Sequence, residues 1–122
     1  MSHIVRIETE VRDAAAVAAA ATRLDLPPPQ QGTHQLFTSQ ATGLAVHLPQ
    51  WRYPVVCQLE TGQLAFDNYQ EAWGDRRELD RFLQAYAIEK TRLEARRSGY
   101  AVTEAPLASG AVKLTLHLET TA

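Results

Sequence analysis

Residues 75–99 read DRRELDRFLQAYAIEKTRLEARRSG, and this stretch decides the fold. Leu79, Phe82, Leu83, Tyr86 and Leu93, with the stem of Lys90, recur at the three- and four-residue spacing that gathers side chains on one face of an α-helix. Asp75 with Glu78 three residues on predicts an Asx form of the capping box. Arg92, Arg96 and Arg97 crowd the far end, where the helix dipole favours cations. Gly99 can close the helix in left-handed conformation. A helix with such a stripe needs an apolar surface to cover.

The flanking sequence supplies strands. Downstream, Tyr100–Glu104 and Val112–Glu119 read as a hairpin turning through Pro106 and Gly110. In its last strand Val112, Leu114, Leu116 and Leu118 alternate with Lys113, Thr115, His117 and Glu119. The first set is expected to pack against Phe82, Leu83, Tyr86 and Leu93, and the second to lie on a wet sheet face. Upstream, Val55–Leu59 and Gln63–Asp67 form a second hairpin across Thr61–Gly62. His34–Gln40 and Leu44–Leu48 read as strands around a Thr42–Gly43 turn. Pro49 and Pro54 make Gln50–Tyr53 a loop.

Near the N-terminus, Val5, Ile7, Thr9 and Val11 alternate with Arg6, Glu8 and Glu10, so Ser2–Val11 is a half-buried strand. Asp13 then suits the N-cap of an alanine-rich helix from Ala14 to Leu26, ended by Pro27, Pro28 and Pro29. The order is strand, helix, about four strands, helix, two strands. That is an α+β fold, a mostly antiparallel sheet with two helices packed on one face. The 122 residues fit a single domain spanning 1–122.

Composition narrows the function classes. A formal charge of −2 gives no bulk attraction to phosphate backbones, so nucleic-acid binding is disfavoured. The single cysteine, Cys57, cannot form an internal disulfide, which suits a reducing compartment. The N-terminus carries charge within a few residues and no apolar run, unlike a secretory signal. No stretch approaches the roughly 18 apolar residues of a membrane span. The cytoplasm is therefore the expected location, with no membrane partner.

The densest chemistry lies in WRYPVVCQLETGQLAFDNYQEAWG, residues 51–74, which holds both tryptophans, the cysteine, Tyr53, Phe66 and Tyr69. Aromatics clustered this way build either a core or a recognition surface, since Trp and Tyr join apolar area to a polar end. Trp51, Arg52, Tyr53, Tyr69 and Trp73 are expected to form one contiguous binding site at an end of the sheet, with Asp67 and Asn68 beside them. Aromatics and arginine dominate interface hot spots. The competing reading has both tryptophans plugging the open end of the core.

Catalytic and metal signatures are missing. His3, His34, His47 and His117 are scattered without metal-ligand spacing. Cys57 lies in an apolar strand with no neighbour to lower its pKa, so it reads as a small hydrophobe. Glu71, Asp75, Glu78 and Asp80 lack the spacing of a calcium loop, and helix capping explains Asp75 and Glu78. No phosphate loop or nucleophile elbow is present. No catalytic residue, metal ligand or cofactor is assigned.

Four blocks together carry a resemblance: MSHIVRIETEVRD, TGLAVHLPQWRYPVVC, DNYQEAWGD, and the long segment from LDRFLQAYAIEK to AVKLTL. They resemble the family called hypothetical chloroplast reading frame 35, or domain of unknown function 1257. The resemblance implies a protein of bacteria, cyanobacteria or plastids, associated with a AAA-type ATPase system. Residues and resemblance together point to an accessory or adaptor protein that binds a protein partner or a second copy of itself. The alternatives are a small enzyme or ligand-binding domain using the cleft near Trp51–Trp73, with Asp67, Tyr69 or His47 as polar groups, and a single-stranded nucleic-acid binder acting through Arg52, Arg92, Arg96 and Arg97.

Overall fold

A computed structural model describes residues 4–7 and 10–118, in the order β1 (Ile4–Ile7), α1 (Ala14–Arg23), β2 (Gln30–Gln35), β3 (Gln40–Val46), β4 (Val55–Gln58), β5 (Gln63–Asp67), α2 (Arg76–Arg97), β6 (Tyr100–Pro106) and β7 (Val112–Leu118). The architecture is α+β. Strands β2 to β5 form an antiparallel meander, and β1 joins its β5 edge to give the order β1-β5-β4-β3-β2. Strands β6 and β7 make a separate antiparallel pair. The strand expected over Ser2–Val11 is seen as Ile4–Ile7; residues 1–3 and 8–9 lie outside the described residues.

The two helices pack together on one face of the larger sheet. Ala16, Val17 and Ala20 of α1 and Leu79, Phe82, Ala85 and Tyr86 of α2 share a core with Val46, Val55, Cys57, Leu64 and Phe66. Small side chains on α1 let it lie close to its neighbours. The buried Tyr86 hydroxyl accepts hydrogen bonds from the Arg12 and Asp13 N–H groups at 3.1 and 3.2 Å. This anchors the entrance of α1 to the middle of α2. Asp13 caps α1 through the Ala16 N–H and pairs with Lys90 at 3.1 Å.

Helix α1 stops at Arg23, three residues short of the expected Leu26. Asp25 takes a left-handed φ of 57°, the Leu26 N–H reaches the Ala21 carbonyl, and the Asp25 N–H reaches Thr22. This is a Schellman closure, completed before the prolines are reached. At α2 the N-cap is Asp75, but Glu78 does not return the bond. Glu71 accepts from the Arg76 N–H at 2.9 Å, while Glu78 lies 3.6 Å from Arg81. The Arg76 N–H, one of the orphan donors of the first turn, is thus met by a carboxylate arriving from the preceding loop.

The expected Thr42–Gly43 turn is corrected: both residues lie within β3, paired with Thr33 and Gly32, and the reversal falls at residues 36–39. Glycine serves there for close approach, not for reversal, because a Cβ on Gly43 would stand 2.5 Å from the Cys57 carbonyl oxygen. Strand β3 pairs with β4 only over Leu44–Val46. The free part of the β2–β3 hairpin closes on the face opposite the helices, burying Leu36 with Ala41, Ala45, Val56 and Ala65, and with Tyr53 against them.

The last hairpin is the second correction. Leu116 and Leu118, expected in the core, are 45% and 65% exposed, and Val112 and Leu114 are half-buried. Alternation signals a face but not its cover, and here β6–β7 lies on α2 instead of joining the main sheet. Glu104 ties it down, accepting from Arg23 of α1 and from Arg92 of α2 at 3.0 Å. The Arg23 hydrogen bond and the nearby guanidinium charges hold the Glu104 carboxyl below its ordinary value of 4.5. A depressed carboxyl contributes stability that is complete above the unfolded pKa and is lost as pH falls through the folded one. Amide protection factors in β6 and β7, taken against the intrinsic rate at each pH, should therefore fall selectively below about pH 4.5. Glu104→Gln should cost about 1 kcal/mol and remove that pH response; an unchanged exchange profile would refute the tether.

Cys57 is fully buried, and burial pushes its thiol up to about 12. The native protein should resist thiol-specific reagents and react only after unfolding in urea. Rapid labelling under native conditions would contradict this placement.

Candidate functional site

Two loops meet at the end of the larger sheet: residues 47–54, between β3 and β4, and residues 68–75, between β5 and α2. Backbone bonds join them. The Arg52 N–H donates to the Trp73 carbonyl at 2.8 Å, and the Trp51 indole N–H donates to the Asp75 carbonyl at 3.0 Å.

The second loop is shaped by an unusual backbone. Tyr69, Gln70 and Glu71 take φ values of 46°, 52° and 70°, three successive non-glycine residues in the left-handed region. Each costs roughly 1–2 kcal/mol relative to a right-handed residue. The run persists because surrounding bonds fix it. Asp67 Oδ1 accepts from the Tyr69 N–H at 3.2 Å, an Asx-type turn. The Ala72 N–H reaches the Tyr69 carbonyl, the Trp73 N–H reaches the Asn68 carbonyl, and the Asn68 side-chain amide reaches the Gly74 carbonyl at 3.5 Å.

The product of this geometry is a cluster centred on Trp73. Tyr69 stacks on it at 4.6 Å between centroids, with 21° between the planes. Phe37 and Tyr53 meet it edge-on at 4.9 and 5.7 Å. The Arg52 guanidinium stands 5.0 Å from the Trp73 ring centre and 5.8 Å from that of Tyr53. Phe37 and Tyr69 are 41% and 40% exposed, while Trp73 and Tyr53 are half-buried. Aromatic pairs of this kind contribute about 0.5–1.5 kcal/mol each beyond area burial.

The structure thus divides the residues that sequence groups together. Arg52, Tyr53, Tyr69 and Trp73 come together at the surface. Trp51 does not join them: it packs on the helix-side core, edge-on to Phe66 at 5.5 Å and tight against Gly74. Asp67 and Asn68 are buried beneath the loop, where they shape its backbone. Asp67 Oδ2 has no hydrogen-bond partner among the described residues. Phe37 is an addition. Nothing near it in sequence marks it as part of a site, because only the closure of the β2–β3 hairpin over the sheet brings it to Trp73.

The polar groups singled out with Tyr69 lie apart from one another in exposure. His47 is exposed, Asp67 is buried, and no group of His, Cys, Asp and Glu suited to a metal ion occurs among the described residues. A cavity of about 380 Å³ next to the cluster is lined by Pro49, Gln50, Glu71, Gly74, Asp75 and Glu78. Its Glu71 and Asp75 carboxylates already hold the N-terminus of α2. Among the described residues, no helix is long and apolar enough to cross a membrane. No protein-family model matches the chain, and no curated protein or solved structure matches it.

Proposed function

We propose that this chain is a non-catalytic accessory protein that docks a protein partner on the Trp73 cluster. The supporting observation is the left-handed Tyr69–Gln70–Glu71 run, a strained backbone that holds a half-exposed aromatic stack in one arrangement. Strain of this kind clusters at functional sites, and rigid aromatics beside an arginine match the composition of interface hot spots. Ordering the stack before binding lowers the entropy cost of association.

The resemblance to the hypothetical chloroplast reading frame 35 family extends this proposal to an adaptor acting beside a AAA-type ATPase, in the cytoplasm or an equivalent reducing compartment. The test is capture from the native host with wild-type protein and with Trp73→Ala, followed by identification of the retained proteins. A partner retained by the wild type and lost with Trp73→Ala is the expected result. Equal retention by both would overturn the docking site, and turnover of a small metabolite with no partner would favour an enzyme.

A further inference from the structure

We infer that the Trp73 cluster takes an extended, proline-rich peptide segment carrying an acidic residue; this rests on the docking function proposed above and names the chemistry of the docked segment. The argument comes from the hydrogen-bonding balance of the site. Among the described residues, neither the Trp73 indole N–H nor the Arg52 guanidinium has an acceptor, and the Tyr53 hydroxyl has no partner. The first two can only donate.

Five of the carbonyls around the cluster, in contrast, are occupied. The carbonyls of Asn68, Tyr69, Trp73, Gly74 and Asp75 each receive an N–H from within the two loops. The aromatic surface is therefore apolar and edged by the Trp73 and Arg52 donors, with these five carbonyls already engaged. An ordinary peptide laid across the rings would bury its own N–H groups beside carbonyls that are already engaged. A proline-rich segment has few N–H groups to lose, presents its carbonyls outward, and is extended before it binds. Its acidic residue supplies the charge that Arg52 lacks.

Single-stranded nucleic acid would also offer acceptors, but it reads aromatic sites by stacking bases on open ring faces. The Trp73 ring is already stacked on Tyr69 and carries the Arg52 guanidinium 5.0 Å from its centre. With one unpaired cation and a formal charge of −2, the surroundings do not favour a polyanion. The chain's own Pro27 and Pro28 are exposed and follow Asp25, which makes a second copy the competing occupant.

The test is a titration of the whole chain, followed by amide chemical shifts, with an oligoproline peptide ending in aspartate. The comparison probes are the same peptide ending in lysine, a Gly-Ser peptide ending in aspartate, and oligothymidylate. The expected result is saturable binding of the first peptide, with shifts centred on residues 37, 52, 53, 69 and 73, and no saturation by the Gly-Ser peptide. Arg52→Ala should weaken binding about tenfold and erase the preference for aspartate over lysine. Tyr53→Phe, which removes only a hydroxyl, should weaken it severalfold while leaving the spectrum of the free protein nearly intact. Three outcomes would overturn the inference: equal affinity for the Gly-Ser peptide, tighter binding of oligothymidylate lost with Arg52→Ala, or a dimer abolished by Pro28→Ser. Absence of peptide binding while partner capture still depends on Trp73 would also reject it, yet leave the docking site standing.

Discussion

Trp51→Ala should lower the free energy of unfolding by about 3–5 kcal/mol, the range for removing a large aromatic from a packed position. Three losses act together. The ring leaves a void beside Phe66, the Asp75 carbonyl loses the indole N–H and keeps only the Glu78 N–H, and Gly74 loses the surface it packs on. The Asp75 carbonyl belongs to the N-cap of α2, so the effect reaches the helix that carries much of the core. Equilibrium unfolding in urea, read by circular dichroism, gives the number. A loss below about 1 kcal/mol would mean that Trp51 is not the plug described here. Trp73→Ala should be milder, because it gives up ring pairs at a half-exposed site and leaves no comparable void.

Gly74→Ala should carry the next largest cost, near 3 kcal/mol, at the upper end of the usual range for overpacking. A Cβ there would stand 2.4, 2.5 and 2.8 Å from Trp51 Cδ2, Cε2 and Cγ. A rigid indole cannot flex away as the end of a long side chain would. The ring or the loop backbone must move, and the loop is already fixed by the Arg52 and Trp73 backbone bond. The two positions should couple strongly. In a Trp51→Ala background the Gly74→Ala substitution should cost little, and a double-mutant cycle in urea would show it. Additive costs would place the source of the penalty elsewhere.

Much of the fold was legible because local chemistry and global packing agree in α2 and in the β4–β5 hairpin. The α2 stripe reads directly onto buried Leu79, Phe82 and Tyr86, and Gly62 turns between Gln58 and Gln63 with a φ of 77°. Three features were not legible. Gly43 resembles a turn residue in sequence, yet its role is set by the approach of the Cys57 carbonyl from another strand. The alternation in β7 marks an apolar face, whereas its position depends on Glu104 meeting arginines from two helices. Asp25 ends α1 by adopting a conformation that composition alone assigns to glycine.

The site was half legible for the same reason. Clustering of aromatics between residues 51 and 74 located the region, and the paired loops explain why Arg52, Tyr53, Tyr69 and Trp73 meet. What separates the two tryptophans is which side of the joined loops each ring occupies. Trp51 lies on the helix side beside Phe66, and Trp73 lies on the other beside Phe37. Phe37 arrives from a hairpin whose turn falls at residues 36–39, so a misplaced turn hides it from a sequence reading.

The division of labour between the tryptophans, one in the core and one at a docking site, is tested most directly by photo-crosslinking in the native host. A photoreactive aromatic amino acid would be placed at Phe37, on the exposed rim of the Trp73 cluster, and separately at Leu107, an exposed apolar position in the loop between β6 and β7. The expected result is one discrete protein adduct from position 37, lost when Arg52 is replaced by alanine, and none from position 107. No adduct from position 37, or the same adducts from both positions, would contradict the assignment of the cluster as a docking site.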